Sequence, residues 1–399
     1  MNYINFSSKN FPILKLKRDI SLHLKRGHPW IFEDAIFFEK PATNNFPQLG
    51  KLIDKKNQFL AWGIYDSNSQ LAFRVIDLDH KIFEQNIIHS KFLNAIEIRQ
   101  ILFGKSLSTN AYRLFNGEGD GLPGLICDIY GDYGVLKLDG QHLEKIWDIE
   151  SIASFLEQNL SLRGVYFKTK DKDAGKVLFG SVPNEIDFLE NNVKFSVNVR
   201  EGSKTGFFLD QRDNRRFIGQ LAHEKRVLNL FSYTGGFSVY AGLGGAKEVT
   251  SVDIAPKAVS LAQTHWEKNN LQTQNHYSVS SDAFEFVEKM AQEKRMWDLI
   301  IVDPPSFAPS AQTLKEGIKA YQKIFLLSLK LLAANGTIAF SSCSSHVDFS
   351  TFLEICREAF SLARKRAQVI YISGQGADHP FPLIAPELRY LKFAVLRQF

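Results

Sequence analysis

The spacing of apolar positions changes along the chain, and the changes divide it into three regions. In residues 1–78, KLIDKKNQFLAWGIYD and LAFRVIDL read as short strands separated by turn residues, which predicts a small β-rich module. In residues 79–195, FEQNIIHSKFLNAIEIRQILFG carries apolar residues at helical spacing, LICDIY and YGVLKL read as strands, and KIWDIESIASFLEQNL reads as a helix. GVYFKTK and KFSVNV close that region as strands, so a small central α+β domain is expected. In residues 196–399 the pattern alternates. VLNLF, EVTSVDI, a run near HYSVSSD, WDLIIVD and GTIAFSSC are strands, while AVSLAQTHWEKNN, AFEFVEKMAQEK and IKAYQKIFLLSLKLLA are helices. That alternation predicts an α/β domain built from right-handed βαβ units around a mostly parallel sheet.

A chain of 399 residues is too long for one typical core and suits two or three domains. Its 44% hydrophobic and 23% charged content is that of a soluble globular protein. There is no apolar run of about eighteen residues, and the N-terminus lacks the basic-then-apolar pattern of a secretion signal, so a cytoplasmic location is expected. The 3 cysteines, Cys127, Cys343 and Cys356, are far apart and form no C-x-x-C pair, which argues against a zinc site or a disulfide framework. A net charge of +5 permits an RNA partner without requiring one. The N-terminal stretch ILKLKRDISLHLKRGHPWIF interleaves Lys15, Lys17, Arg18, Lys25 and Arg26 with apolar residues and ends on Trp30 and Phe32. On residues alone, a solvated strand edge beside a core aromatic describes it best. Gly117, Gly119, Gly121 and Gly124 are not followed by a helix with a lysine at P-loop spacing, so they read as turn residues.

The third region carries a cofactor pattern. VLNLFSYTGGFSVYAG sets Gly235 and Gly236 after a buried strand and before a helix, where small residues let backbone approach a ligand. The next strand ends at Asp253, about 20 residues on, the distance at which doubly wound folds hold ribose hydroxyls. The third strand ends in Ser281-Asp282-Ala283, a second acid suited to an adenine amine. A dinucleotide would demand G-x-G-x-x-G with a helix N-terminus on a pyrophosphate. The sequence reads Tyr233-Thr234-Gly235-Gly236-Phe237-Ser238 instead, which favours S-adenosylmethionine, a cofactor without a pyrophosphate.

The fourth strand exits into Asp303-Pro304-Pro305, and the two prolines fix a turn that can hold a carboxylate and carbonyls against a flat base. The fifth exits at Cys343, among Ser341, Ser342, Ser344 and Ser345. Carbon 5 of a pyrimidine is a poor nucleophile, and a thiolate adding to C6 makes it enamine-like. Cys356, in the helical run FLEICREAF, and Cys127, in a strand, read as core residues.

At these residues the sequence resembles the ribosomal RNA large-subunit methyltransferase I family, PUA-domain enzymes that methylate cytosine C5 of 23S rRNA. LKRGHPWIF and AWGIYDSNSQLAFRV resemble the PUA module, NGEGDGLPGLICD the central domain, and EGSKTGFFLDQRDNRR, VLNLFSYTGGFSVYA, VDPPSF and FSSCS the Rossmann-like class I methyltransferase domain. The resemblance implies that Phe208, Asp210 and Arg212 line the cofactor entrance and that Phe231, Ser232, Tyr233 and Gly235 touch the methionine part. It implies that Asp253 holds the ribose and Asp282 the adenine. Asp303 and the prolines Pro304 and Pro305 are expected at the target base, Cys343 as nucleophile, and the basic N-terminal residues on RNA. Many RNA cytosine-5 enzymes carry a cysteine directly after the two prolines; here that position is Ser306. The base that takes the C5 proton stays unassigned, Asp303 or a water, and a homodimer is left open.

Two alternatives stand beside this reading. Methylation of a guanine nitrogen, such as N7, would use the glycine turn and the DPP element but no cysteine. A non-catalytic RNA-binding protein would keep the PUA-like module and leave the cofactor positions idle.

Overall fold

In the computed structural model the described residues are 1–5, 11–40, 46–169, 171 and 174–399. They fall into two compact units. The first comprises Met1–Leu189, Ser196–Leu209 and Ala377–Leu388, and the second Glu190–Phe195, Asp210–Gly376 and Arg389–Phe399.

In the first unit, β1 (Ile13–Leu16), α1 (Ser21–Lys25), β2 (Trp30–Ile31), β3 (Ile36–Lys40), β4 (Gln48–Ile53), β5 (Phe59–Tyr65) and β6 (Phe73–Asp77) come first. Among the described residues their strands make a six-stranded sheet in the order β2-β6-β5-β4-β1-β3. Leu14, Leu16, Leu52, Ala61 and Phe73 fill its core. The long helix α2 (Gln85–Phe103) follows, then β7 (Ala111–Asn116), β8 (Leu125–Tyr130), β9 (Tyr133–Leu138), α3 (Ile149–Asn159), β10 (Gly164–Lys168) and β11 (Lys176–Gly180). These strands form a five-stranded sheet, β11-β10-β9-β8-β7, among the described residues. The run GVYFKTK becomes β10, and its last residue, Lys170, lies outside the described residues. β12 (Glu185–Glu190) and β13 (Val193–Asn198) pair with each other.

The glycine-rich turn of the first unit is held by charge. Asp120 accepts both arms of the Arg99 guanidinium, at 2.7 and 2.8 Å, and Glu118 accepts from Arg74 and from the Trp30 indole. Cys127 is buried in β8, as its strand setting suggests.

The second unit continues with α4 (Arg212–Leu221), β14 (Arg226–Leu230), α5 (Gly236–Leu243), β15 (Glu248–Asp253), α6 (Pro256–Lys268), β16 (His276–Ser280), α7 (Ala283–Gln292) and β17 (Trp297–Val302). It ends with α8 (Leu314–Leu329), β18 (Leu332–Ser342), α9 (Phe349–Leu362), β19 (Ala367–Ser373) and β20 (Lys392–Gln398). Its seven-stranded sheet, counted over the described residues, runs β16-β15-β14-β17-β18-β20-β19. The first five strands of that order are mutually parallel, while β20 is antiparallel to both its neighbours.

Both faces of this sheet are covered, which explains why its strands read as unbroken apolar runs. Along β17, Ile300 and Val302 pack with Phe286, Phe325 and Phe352 on one face, whereas Leu299 and Ile301 pack with Ile218, Trp266 and Phe393 on the other. Cys356 lies in the first of these cores, on α9. Among the described residues no helix is long and apolar enough to cross a membrane.

Candidate active site

Parallel strands in register bring their carboxyl ends to one edge, and open α/β sheets bind ligands there, at the point where strand order reverses. In the second unit that point lies between β14 and β17. Leu230 is level with Val252 on one side and with Val302 on the other, and Val302 is level with Phe340. The residues that follow these strands therefore share one edge: Phe231–Gly235 after β14, Asp253 ending β15, Asp282 just beyond β16, Asp303 after β17 and Cys343 after β18.

The turn after β14 is conformationally costly. Phe231 and Tyr233 have φ of 58° and 46°, values rarely adopted by side-chain-bearing residues, and Gly235 has 75°. A Cβ on Gly235 would lie 2.6 Å from the Cβ of Ala262, so the glycine lets α6 close against the turn as well as permitting its φ. Asp253 stabilises this conformation by accepting the Tyr233 amide at 2.8 Å and the Ala255 amide at 2.9 Å. The turn still leaves polar atoms unsatisfied. Ser232 Oγ and Thr234 Oγ1 are buried and have no hydrogen-bond partner among the described residues. Buried hydroxyls normally find partners, so these two atoms fit a ligand group lying in the turn. Asp282 caps α7 through Oδ1, which accepts the Phe284 and Glu285 amides.

The positions from the segment Glu201–Arg216 divide. Phe208 belongs to the first unit, where the Lys204 ammonium lies 4.8 Å from its ring centre. Asp210 belongs to the second, where Oδ2 accepts the Tyr390 hydroxyl at 2.7 Å. Arg212 is buried 3.8 Å from Glu190, whose carboxylate is gripped by both arms of Arg215. Between them Gln211 turns inward and donates from Nε2 to Asp303 Oδ1 at 3.0 Å and to Ser341 Oγ at 3.3 Å. Gln211 is a position in contact with Asp303 to which the sequence pattern assigned no role. Its only signal was its place beside Arg212 in the segment LDQRDNRR.

Asp303 retains some exposed surface, but its carboxyl is enclosed. Burial raises it, the nearby Asp210 charge adds to the effect, and the bonds from Ser341 and Gln211 oppose it; the net result is a carboxyl pushed up to about 6. Such a group changes protonation near neutrality and suits proton chemistry. Pro304 is buried and Pro305 exposed at the tip of the turn. The Cys343 thiol is half-buried, and its Sγ sits 3.9 Å from the Pro304 carbonyl, which joins the two strand exits. Ser306, where a second cysteine is absent, bonds to Ser344 Oγ at 3.0 Å; Ser344 Oγ also accepts the Ala308 amide and meets the Tyr321 hydroxyl at 2.8 Å. The DPP turn and the cysteine turn are thus tied together through one buried serine.

The basic N-terminal residues lie in the first unit. Lys17, Lys25 and Arg26 are exposed, Lys15 donates to Asn57 at 2.6 Å, and Arg18 lies 3.1 Å from Asp34. Trp30 is engaged by its indole bond to Glu118. Among the described residues no group of three or more His, Cys, Asp or Glu side chains could hold a metal ion.

Comparison with known proteins agrees with the fold and with S-adenosylmethionine as the cofactor. The S-adenosylmethionine-dependent methyltransferase family matches residues 140–367, and the PUA-like domain family matches residues 14–78. The first match begins inside the central region, ahead of the seven-stranded sheet. A protein of Deinococcus radiodurans named ribosomal RNA large subunit methyltransferase is 33% identical, over 96% of this chain and 97% of its own. The ribosomal RNA large subunit methyltransferase I of Aeromonas salmonicida is 35% identical, over 94% and 96%. A methyltransferase solved in complex with S-adenosylhomocysteine superposes with a TM-score of 0.83 at 27% identity, covering 97% of this chain and 100% of that one.

Proposed function

We propose that this chain, which belongs to the ribosomal RNA large-subunit methyltransferase I family, transfers a methyl group to C5 of a cytosine in 23S rRNA, with Cys343 as the attacking thiolate. S-adenosylmethionine supplies the electrophilic methyl group. The turn Phe231–Gly235, with its unsatisfied hydroxyls, receives the methionine part; Asp253 takes the ribose and Asp282 the adenine. Asp210 and Arg212 serve the cofactor entrance, a role that the family resemblance alone implies for Phe208. The exposed Lys17, Lys25 and Arg26, with Lys15 and Arg18, meet RNA phosphates, which position the substrate without reading its sequence.

The observation that carries this reading is the thiol of Cys343 held 3.9 Å from the Pro304 carbonyl, beside a carboxyl that titrates near neutrality. The thiolate adds to C6, and the ring π electrons move so that C5 becomes nucleophilic. The Asp303 carboxylate accepts a hydrogen bond from the cytosine 4-amino group, which uracil lacks. C5 takes the methyl group as the methyl–sulfur bond breaks and S-adenosylhomocysteine is left, and the Asp303 carboxylate then takes the C5 proton. The C5–H pair re-forms the ring double bond, and the C6–S bond breaks to release the thiolate.

RNA containing 5-fluorocytosine tests this directly, because fluorine at C5 blocks the final elimination. The expected outcome is a protein–RNA adduct stable to denaturant, absent in Cys343→Ala, together with loss of about 10³-fold or more in transfer rate. Full methyl transfer by Cys343→Ala would overturn the covalent mechanism. Transfer without trapping would favour a base nitrogen as acceptor.

A further inference from the structure

A second buried ionisable group lies beside Cys343, and the reaction as described does not use it. Lys392 opens β20 opposite Ser342 in the β18–β20 register, and the residue is 1% exposed. Its Nζ donates to the Ser344 carbonyl at 2.6 Å and to the Tyr390 carbonyl at 2.7 Å. The lysine is therefore level with the residue before Cys343 and bonded to the residue after it. Both partners are carbonyls, and among the described residues no carboxylate makes an ion pair with this ammonium.

That arrangement is expensive as pure structure. A buried ammonium loses its hydration and normally recovers the loss from a paired anion. Here burial pushes Lys392 down to about 8. The charges that reach it are Cys343 and Asp348, which favour the ammonium, and Arg389, which opposes it. Asp348 is already engaged in capping α9 through the Thr351 amide. Among the described residues the Tyr321 hydroxyl on α8, bonded to Ser344 Oγ, also faces Cys343, and the Asp303 carboxyl lies across the Pro304 turn. A thiolate on Cys343 is thus the anion that this cation is placed to meet, and a neighbouring cation is what promotes thiol ionisation.

We propose that Lys392 is a positioning residue for the Cys343 step: its ammonium pins the turn that presents the thiol, through the Ser344 and Tyr390 carbonyls, and supplies the positive charge against which the thiolate forms. This inference rests on the reading of Cys343 as the attacking group.

The test is the pH profile of iodoacetamide alkylation of Cys343 in the full chain, with Cys343→Ala as the blank for the buried Cys127 and Cys356. Lys392→Gln keeps an N–H donor for the carbonyls but removes the charge. It is expected to alkylate about tenfold more slowly than wild type at pH 7, the loss that one nearby opposite charge explains. Lys392→Arg, which retains the charge, is expected to stay within about threefold of wild type. A Lys392→Gln profile that superimposes on wild type, with the thermal melt and S-adenosylmethionine binding unchanged, would overturn the inference. If Lys392→Gln does not fold, Lys392→Arg decides: a tenfold loss there overturns it as well. Alkylation reads the thiol and not methyl transfer. Failure of the nucleophile assignment would instead appear as methyl transfer surviving in Cys343→Ala.

Discussion

Two acid-bearing turns in this molecule each follow a strand and differ in physics. In the first unit, Glu118 and Asp120 sit in a glycine-rich turn after β7; in the second, Asp303 sits in the proline turn after β17. All three are enclosed. Burial alone would raise the Glu118 carboxyl, but the Arg74 guanidinium outweighs it and holds the group below its ordinary value. Asp120 is matched just as fully by Arg99. Among the described residues Asp303 receives bonds from neutral groups, the Ser341 hydroxyl and the Gln211 amide, while the Arg215 charge reaches it without a bond, so burial prevails and the carboxyl rises to about 6. An acid paired with arginine is a fixed strut. An enclosed acid held by amides and hydroxyls keeps a proton equilibrium that a reaction can use.

Breaking each turn tests that contrast. Asp120→Ala leaves the Arg99 guanidinium, 2% exposed, without its carboxylate, and should lower the stability of the chain by about 3–5 kcal/mol in denaturant titration. A loss below about 1 kcal/mol would show that the strut is dispensable. Asp303→Asn should do the opposite. Transfer should fall by about 10²-fold or more, as for loss of a general base. Its stability should match wild type at low pH and exceed it above pH 6. A carboxyl whose folded value is raised favours the fold only while protonated, so the wild-type chain loses stability as pH rises from the ordinary carboxylate value through about 6. A destabilised Asp303→Asn at pH 8 would make Asp303 a strut too.

Much of this was legible in the sequence. The strands LICDIY and YGVLKL became β8 and β9 residue for residue, and the turns carrying Gly235, Asp253, Asp303 and Cys343 fell at the strand ends where period and length put them. The parts that were not legible have a common physical cause, in that buried charge hides a core face. The run RDNRRFIGQL, to which the apolar spacing assigned no element, forms α4, and Arg212, Asn214 and Arg215 are buried there because Glu190 neutralises the arginines and Gln211 satisfies the amide. Lys392 at the start of β20 is hidden in the same way, since its partners are backbone carbonyls that leave no mark on composition. β12, EIDFLE, alternates acid with apolar residues in a pattern equally suited to a loop.

Gln211 offers a way to sharpen the contrast without abolishing it. With the Asp303 carboxylate required, the transfer rate should rise with pH about a midpoint near 6, and Asp303→Asn should lack that limb. Gln211→Met removes a donor that favours the ionised form, so the midpoint should move upward by as much as about one pH unit, a loss of up to about tenfold at pH 5. Rates at pH 8 should be little changed. A midpoint that stays in place would mean that the Ser341 hydroxyl and the Arg215 charge hold the carboxylate without Gln211.

The smallest expected effect concerns the cofactor turn. Ser232 Oγ is buried without a partner among the described residues, so Ser232→Ala removes no internal hydrogen bond and relieves an unsatisfied hydroxyl. The empty chain should be as stable as wild type or slightly more so. If the hydroxyl waits for the cofactor, calorimetry should show S-adenosylmethionine binding weakened by about 0.5–1.5 kcal/mol, a few-fold to roughly tenfold. The two measurements separate the possibilities because they move in opposite directions. A hydroxyl buried only by the strained backbone of Phe231 and Tyr233 would raise stability on removal and leave affinity alone, whereas one that completes its bonding on the ligand trades a small gain in the empty protein for a larger loss in the complex.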